Sequence, residues 1–433
     1  MNAAATQQRS EVLDRVLRDY RSVADTLPGG VSAHSARERA AGQLADIGWP
    51  SARDEYWRYA NLRAFDHSAY RPAATSSAQC AATLSLLQSQ GALPPPLAGF
   101  ERLIFVDGVF VTGARSVAQS DTAADGWDWD WPAELRLGLL CDMFASDAAR
   151  LSVHGTAAIE VLFLSSPGAA GAAVYPRLQL QLAAGSRLRL IEHHLGAPEA
   201  PTLVACNVTL DLGRGANLTH YRLQQCGRQV TFTDTLWARV SEQAQYHVRG
   251  MTFGAGTART SARVQLAARG ASVDWQAIAA GRGEQVHDIA LKVEHAAPDT
   301  RTDETFRGIA DERARLAFSG RIQIGAAASG SQAQQSLKGL IEGAGAEIDL
   351  RPQLEINTHE VRAAHGASTG RLDENLLFYL LSRGLDRAHA RGLLKWAFLG
   401  DVLRTIDLPD LRAEAERLAA GQLPDVPALV GLP

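Results

Sequence analysis

Lysine is nearly absent from this 433-residue chain. Three occur, Lys292, Lys338 and Lys395, among 43 basic side chains set against 47 acidic ones. The preference for arginine reads as genomic base bias. The formal net charge of −4 leaves no basic excess to neutralise phosphates, so a nucleic-acid partner is not expected. Cysteine is scarce too. Cys80, Cys141, Cys206 and Cys226 make no CxxC pair and no zinc-type spacing, and read as small buried hydrophobes. Long apolar runs are missing: the most apolar stretch, Ile159 to Pro176, is broken by Ser165, Ser166, Pro167 and several glycines. It is too short and too interrupted to span a bilayer. The opening MNAAATQQRSEVLDRVLRDY carries acidic residues and lacks the apolar core of an export signal, so a cytoplasmic location without a membrane partner is the expectation. There is also no GxxxxGK[ST], no GxGxxG opening a helix and no HExxH. The chain has no phosphate cradle with which to hydrolyse ATP, and a complete active site is not expected.

What is present falls into three textures. Residues 1–150 read as mainly helical. SEVLDRVLRDYRSVADTL sets Val12, Leu13, Val16, Leu17, Tyr20 and Val23 on one face behind a Ser10 cap. DEYWRYANLRAF crowds three aromatics into a packing anchor, and LIFVDGVFV predicts a hairpin turning at Asp107-Gly108. WPAELRLGLLCDMFASDAARL predicts a helix with Pro132 in its first turn.

Residues 151–362 alternate apolar and polar side chains between glycine-bearing turns, and one phrase recurs: AGSRLRL, RGANLTH, EQAQYHV, RGASVDW, ERARLAF, AGAEIDL. Its first apolar positions, Leu188, Leu218, Tyr246 and Val273, lie 30, 28 and 27 residues apart, and Leu316 and Ile348 follow at 43 and 32. Two residues on, five of the six carry a second apolar side chain (Leu190, Val248, Trp275, Phe318, Leu350), the exception being His220. A period near 30 with one strand start per repeat predicts a parallel β-helix. The competing β-sandwich would turn every ~8–12 residues without a recurring phrase.

Residues 363–433 return to helix. LDENLLFYLLSRG puts Leu372, Leu376, Leu377, Leu380 and Leu381 on one stripe, with Gly384 as its stop. DRAHARGLLKWAFLGDVLRTI follows, capped by Asp386 and with Leu393, Leu394, Ala397 and Phe398 inside; LPDLRAEAERLAAGQL supplies a third helix.

Histidine is the remaining chemical resource. His34, His67, His154 and His389 read as ordinary surface or core residues. His193 and His194 are adjacent, so on a strand they point to opposite faces and cannot share a metal. His220 and His247 sit at strand starts, and His295 precedes a loop. His365 stands apart, flanked by Ala363, Ala364, Gly366 and Ala367 between the last strand and the terminal helices. Small neighbours let another backbone or an ion approach closely. The alternative is a junction histidine bonded to a carbonyl.

At these residues a likeness appears. LKGLIEGAGAEIDLRPQLEINTHEVRAAHGASTGRLDENLLFYLLSRGLDRAHARGLLKWAFL resembles the C-terminal signature of the SufB/SufD family of iron–sulfur cluster assembly proteins. EHAAPDTRTDETFRGIADERARLAFSGRIQI is similar to that family too, and DEYWRYANL resembles its SufD branch. The likeness is dense from Glu294 to Leu399 and thin elsewhere.

It implies a mainly β fold: a right-handed parallel β-helix core flanked by N-terminal and C-terminal α-helical regions. It implies a SufB-like partner paired through β-helix edges, and a SufC-like ABC ATPase bound through the terminal helices. Leu376, Leu380, Arg383, Leu393, Leu394 and Phe398 are the contact candidates there. Transient iron or a nascent cluster would form at the interface with SufB, with His365 as the family-matched metal ligand and His359 and Glu355 as candidate neighbours. ATP hydrolysis would belong to the partner, and no cofactor would be held stably by this chain alone.

One position departs from the family: Ala363 stands where many members carry a cysteine two residues before the histidine, which weakens the case for sulfur ligation by this chain and leaves His365 as the sole family-matched ligand. Two other readings stay open. One is a carbohydrate-active β-helix enzyme, which would want paired carboxylates and export. The other is a self-contained homodimeric metal-binding β-helix protein, paired through its own exposed strand edge.

Overall fold

Period-two alternation turns residues 149–370 into a coil of parallel strands in the computed structural model, which describes residues 10–113, 131–196 and 200–423. The first nine residues, part of the segment read for an export signal, lie outside it. Before the coil come α1 (Glu11–Val23), α2 (Val31–Ile47), α3 (Ser77–Ser89), a hairpin of β1 (Glu101–Val106) and β2 (Val109–Thr112), and α4 (Gly138–Phe144). The coil itself starts with β3 (Ala149–Val153), β4 (Thr156–Leu164), β5 (Ala173–Val174), β6 (Arg177–Leu182), β7 (Arg187–Leu195), β8 (Thr202–Leu212), β9 (Asn217–Gln224) and β10 (Val230–Val240). It continues through β11 (Gln245–Thr252), β12 (Thr257–Leu266), β13 (Ser272–Gly281), β14 (Val286–His295), β15 (Arg301–Ala310), β16 (Arg315–Ile324), β17 (Gln332–Ile341), β18 (Glu347–Ile356) and β19 (Arg362–Gly370). Three helices close the chain: α5 (Glu374–Ser382), α6 (Arg387–Leu403) and α7 (Pro409–Gln422). None of the described helices is long and apolar enough to cross a membrane.

Successive strands alternate between two sheets. One runs β19-β17-β15-β13-β11-β9-β7-β4-β1-β2, the other β18-β16-β14-β12-β10-β8-β6-β3. The fold is thus the expected β-solenoid with helices at both ends of the chain, and each coil gives two strands rather than one. Leu188, Leu218, Tyr246 and Val273 do lie one above another. Their column continues through Thr302, Ala333 and Ala363, whereas Leu316 and Ile348 pair in the other sheet. The 43-residue step was therefore a jump between sheets, made because Thr302 and Ala333 are too polar or too small to stand out. The recurring phrase has a conformational cause. Gly185, Gly215 and Gly270 turn with positive φ, and Gln243 (φ 55) and Glu312 (φ 56) take the same left-handed conformation without glycine.

The inward faces form one long core of Leu, Val, Phe and Ala. The outer face of the ten-stranded sheet is covered by α6 and α7: Ile191, Leu223, Met251 and Ile278 meet Leu399, Val402, Leu403 and Leu411. The N-terminal helices cover part of the other sheet, with Trp57 and Tyr20 fully buried. Ser10 and Asp386 cap their helices as expected, and Asp373 caps α5. The hairpin also forms as expected, Asp107 and Gly108 both having positive φ.

Two helix readings change. After Pro132 only a short 3-10 turn and α4 form, and Ala149 onward is strand. In α6 the buried face is Ala390, Lys395, Leu399, Val402 and Leu403, while Ala397 is exposed and Leu393, Leu394 and Phe398 are half-buried. The helix is rotated because Lys395 is drawn inside by Glu342, 2.7 Å away and buried with it. Glu342→Gln removes the anion facing that ammonium and is expected to weaken docking of α6 by about 3 kcal/mol. Amide exchange in α6 and α7 should accelerate while the strands stay protected.

Candidate functional site

β18 and β19 are the last strands of their sheets, and among the described residues each has a neighbour on one side only. His365 lies in the middle of β19 opposite Gln335, not at a strand-to-helix junction. The inward positions of β17 are Ala333, Gln335, Leu337 and Gly339, all buried, so Ala363, His365, Ala367 and Thr369 face the same way at the mouth of the coil. His365 therefore heads a column that reads Leu190, His220, Val248, Trp275, Glu304, Gln335 from coil to coil. Its imidazole is exposed because no further coil covers it.

The other residues singled out with it are placed elsewhere. Glu355 is on the outer face of β18, since Ile348, Leu350, Pro352, Leu354 and Ile356 take the inward register there. It pairs with Arg321 at 2.6 Å and accepts from Gln323 at 3.1 Å, contacts that hold its carboxyl below the usual range. His359 sits in the turn between β18 and β19, exposed beside Gly330 and Gln332. The run GASTG (Gly366–Gly370) matches GxSxG spacing, a match the sequence reading overlooked. It lies within the extended strand β19 rather than on a sharp strand-to-helix elbow, so it carries no nucleophile geometry.

On the terminal helices, Leu376, Phe378 and Tyr379 are exposed by 53%, 71% and 54%. Of the expected contact residues, Leu376 and Arg383 lie on that surface, the Arg383 guanidinium 5.1 Å from the Tyr379 ring. Leu380, Leu393, Leu394 and Phe398 are half-buried, and Leu393 and Phe398 pack against the chain's own core. Phe378 and Tyr379 lie off the leucine stripe that the sequence makes conspicuous, yet share its exposed surface with Leu376.

Deeper in the coil lies a polar layer that the alternation pattern had hidden. Glu192, His194, Cys206, His220, Arg222 and Asp234 all take inward positions, all buried but Arg222, which is half-buried. Arg222 forms two forks, to Glu192 at 2.9 and 3.0 Å and to Asp234 at 2.8 and 3.0 Å. Burial alone would raise the Glu192 carboxyl, yet Arg222 with His194 and His220 hold it well below the usual range. Cys206 is 3.8 Å from both Glu192 and His194, and burial next to Glu192 pushes its thiol up. The three donor groups are close enough for a metal. Both oxygens of Glu192 already accept hydrogen bonds from Arg222 and the two histidines, and His194 Nδ1 is buried without a partner. His193 points outward, as expected, to Glu160 at 3.2 Å. All four cysteines are buried, none at the mouth.

The family model described as SUF system FeS cluster assembly, SufBD core domain, matches residues 163–398, more than half of the chain. The chain belongs to the SufBD family. This SufBD protein is 25% identical to the iron-sulfur cluster assembly protein SufD of Escherichia coli over 398 residues, covering 88% of this chain and 91% of that one. It is 26% identical to an iron-sulfur cluster assembly SufBD family protein of Synechocystis over 406 residues (87% and 88% covered), and 29% identical to one of Mycobacterium bovis over 266 residues (59% and 65%). Its role lies in iron–sulfur cluster assembly.

Within that column Glu304 is buried, and its pKa is raised to about 8 by desolvation, opposed by the hydrogen bond from Gln335. A carboxyl raised on folding costs stability as pH climbs from its unfolded value to its folded one. Glu304→Gln should therefore leave stability near pH ~4.5 almost unchanged and raise it by a few kcal/mol, on the order of 4, near pH ~8. Denaturant midpoints at the two pH values check this.

Proposed function

We propose that this SufBD member is a non-catalytic scaffold working in the cytoplasm, where it presents His365 to iron or a nascent cluster across an interface with a SufB-like subunit. The observation that carries the reading is the placement of one imidazole on the inward face of an end strand whose outer edge has no partner. An exposed edge of this kind invites pairing with another chain. Imidazole is a borderline ligand suited to iron.

One histidine cannot hold a cluster, and this chain's four thiols are buried away from the mouth. The remaining ligands would come from the facing subunit, and the cluster is cargo rather than a resident cofactor. His359 lies one turn away and would at most meet the partner backbone; Glu355 is held on the outer face by Arg321.

The apolar surface of α5 (Leu376, Phe378, Tyr379) is the proposed seat of a SufC-like ABC ATPase, which would supply the hydrolysis this chain lacks the motif to perform. Motion there would reach the coil through α6, whose Lys395 is tied to Glu342 just beyond β17. The unpaired edge also supports a second reading, a homodimer formed through β18 and β19.

Co-expression with the host's SufB and SufC homologues, followed by light scattering, tests the assembly. A complex containing both partners is expected; a lone homodimer that ignores them would favour the second reading. Phe378→Asp with Leu376→Asp is expected to lose the ATPase while keeping the SufB-like subunit. His365→Ala should leave the mass of the complex unchanged and lower cluster formation at least tenfold. Equal cluster yield from the variant complex would remove His365 from the mechanism.

A further inference from the structure

Gln335 lies directly beneath His365 in the ten-stranded sheet and is 2% exposed. Its amide has a fixed orientation. The nitrogen donates to the carbonyl oxygen of Gly320 at 3.0 Å and to Glu304 Oε2 at 2.7 Å. A backbone carbonyl only accepts, so the amide cannot be turned over without breaking that bond. Both amide hydrogens are thereby used inside the coil. The amide oxygen is buried and has no hydrogen-bond partner. Buried acceptors of this kind are rare and costly. The next inward side chain beyond Gln335 in this column is His365, and its inward neighbours on β19, Ala363 and Ala367, have no polar side-chain atom to compete.

We propose that Gln335 is a positioning residue for His365: its amide oxygen accepts a hydrogen bond from Nδ1–H of the imidazole and leaves Nε2, with its lone pair directed out of the mouth, to bind iron. This rests on the ligand role given to His365 above. Which ring nitrogen of a neutral histidine carries the proton is decided by the bond the other makes. The imidazole is not bonded to the amide as it stands in this structure; Nδ1 is the nitrogen nearer the backbone, and a turn of the exposed side chain toward Gln335 on the neighbouring strand forms the bond. A ligand held in this way loses less freedom on binding metal and has its more accessible nitrogen unprotonated.

Glu304 completes the column from the far side. Its second oxygen is also buried without a partner, and burial favours its neutral form. The amide is therefore anchored by an uncharged group, and no buried anion competes with His365 for the incoming cation.

The test reads the tautomer and does not depend on cluster chemistry. The full chain would be labelled with ¹⁵N-histidine and its long-range ¹⁵N–¹H spectrum recorded above the titration range of the ring. The His365 signal is identified by its loss in His365→Ala. The expected result is the Nδ1–H form in the wild type and a switch toward the Nε2–H form, which free imidazole in water prefers, in Gln335→Leu. Glu304→Gln keeps an acceptor for the amide and should retain the Nδ1–H form.

An Nε2–H ring in the wild type, or an Nδ1–H ring that Gln335→Leu does not change, overturns the proposal. Should Gln335→Leu fail to fold, Gln335→Met, which keeps the side-chain length and removes the amide oxygen, decides between the same two outcomes. The ligand role of His365 itself is judged separately, by the cluster yield of His365→Ala. In the assembled complex, Gln335→Leu is expected to lower cluster formation roughly tenfold, within the range seen when a ligand's supporting partner is removed.

Discussion

Every inward side chain of the coil touches the inward side chains one coil above and one coil below, and has few other neighbours to choose from. This vertical register governs the rest of the molecule. It makes Leu188, Leu218, Tyr246 and Val273 a single column although they are nearly thirty residues apart in sequence. It also means that a polar inward residue must find its partner within a coil or two, or remain unsatisfied. Arg222 meets the rule by gripping Glu192 in the adjacent coil and Asp234 across the lumen. Gly250 stands next in the same column and leaves room for the guanidinium, beside a cavity of about 40 Å³.

The same constraint sets the layer around Arg222 apart from the stretch of lumen beneath His365. Near the middle of the coil, charge is matched by charge: two carboxylates flank one arginine, with His194 and His220 bonded to Glu192. Toward the mouth no cation of the described residues enters the lumen beside Glu304, and the carboxyl is pushed toward neutrality instead. One coil thus holds two solutions to burying a carboxyl group, pairing and protonation. The neutral solution lies next to the imidazole that would receive a positive ion.

The period, the turn phrase, the caps at Ser10 and Asp386 and the hairpin at Asp107 could be read directly from residues, because each depends on neighbours within a few positions. The family likeness carried His365. What alternation could not show was the polar lumen. Glu192, Arg222 and Asp234 sit at inward parity, yet charged residues on a strand are ordinarily assigned to solvent. His220 was the available clue, as the one break in the apolar rule two residues after each strand start. Lys395 misled for the same reason: a lone lysine amid leucines is placed outside by default, and only Glu342, fifty-three residues earlier, draws it in. The step from Val273 to Leu316 shows the reverse error, in which two sheets with similar strand starts were merged into one series.

The two ends of the ten-stranded sheet are unlike. At one end β19 shows nine residues of parallel strand with an unpaired edge; at the other, β2 is a four-residue strand running antiparallel to its neighbour, with α3 packed near it. Short, reversed borders are poor templates for further pairing. Two chains that join through β19 therefore bury the better of the ten-stranded sheet's two borders. Such an association closes on itself at two members, and a rod built from coils is kept from growing into a fibre.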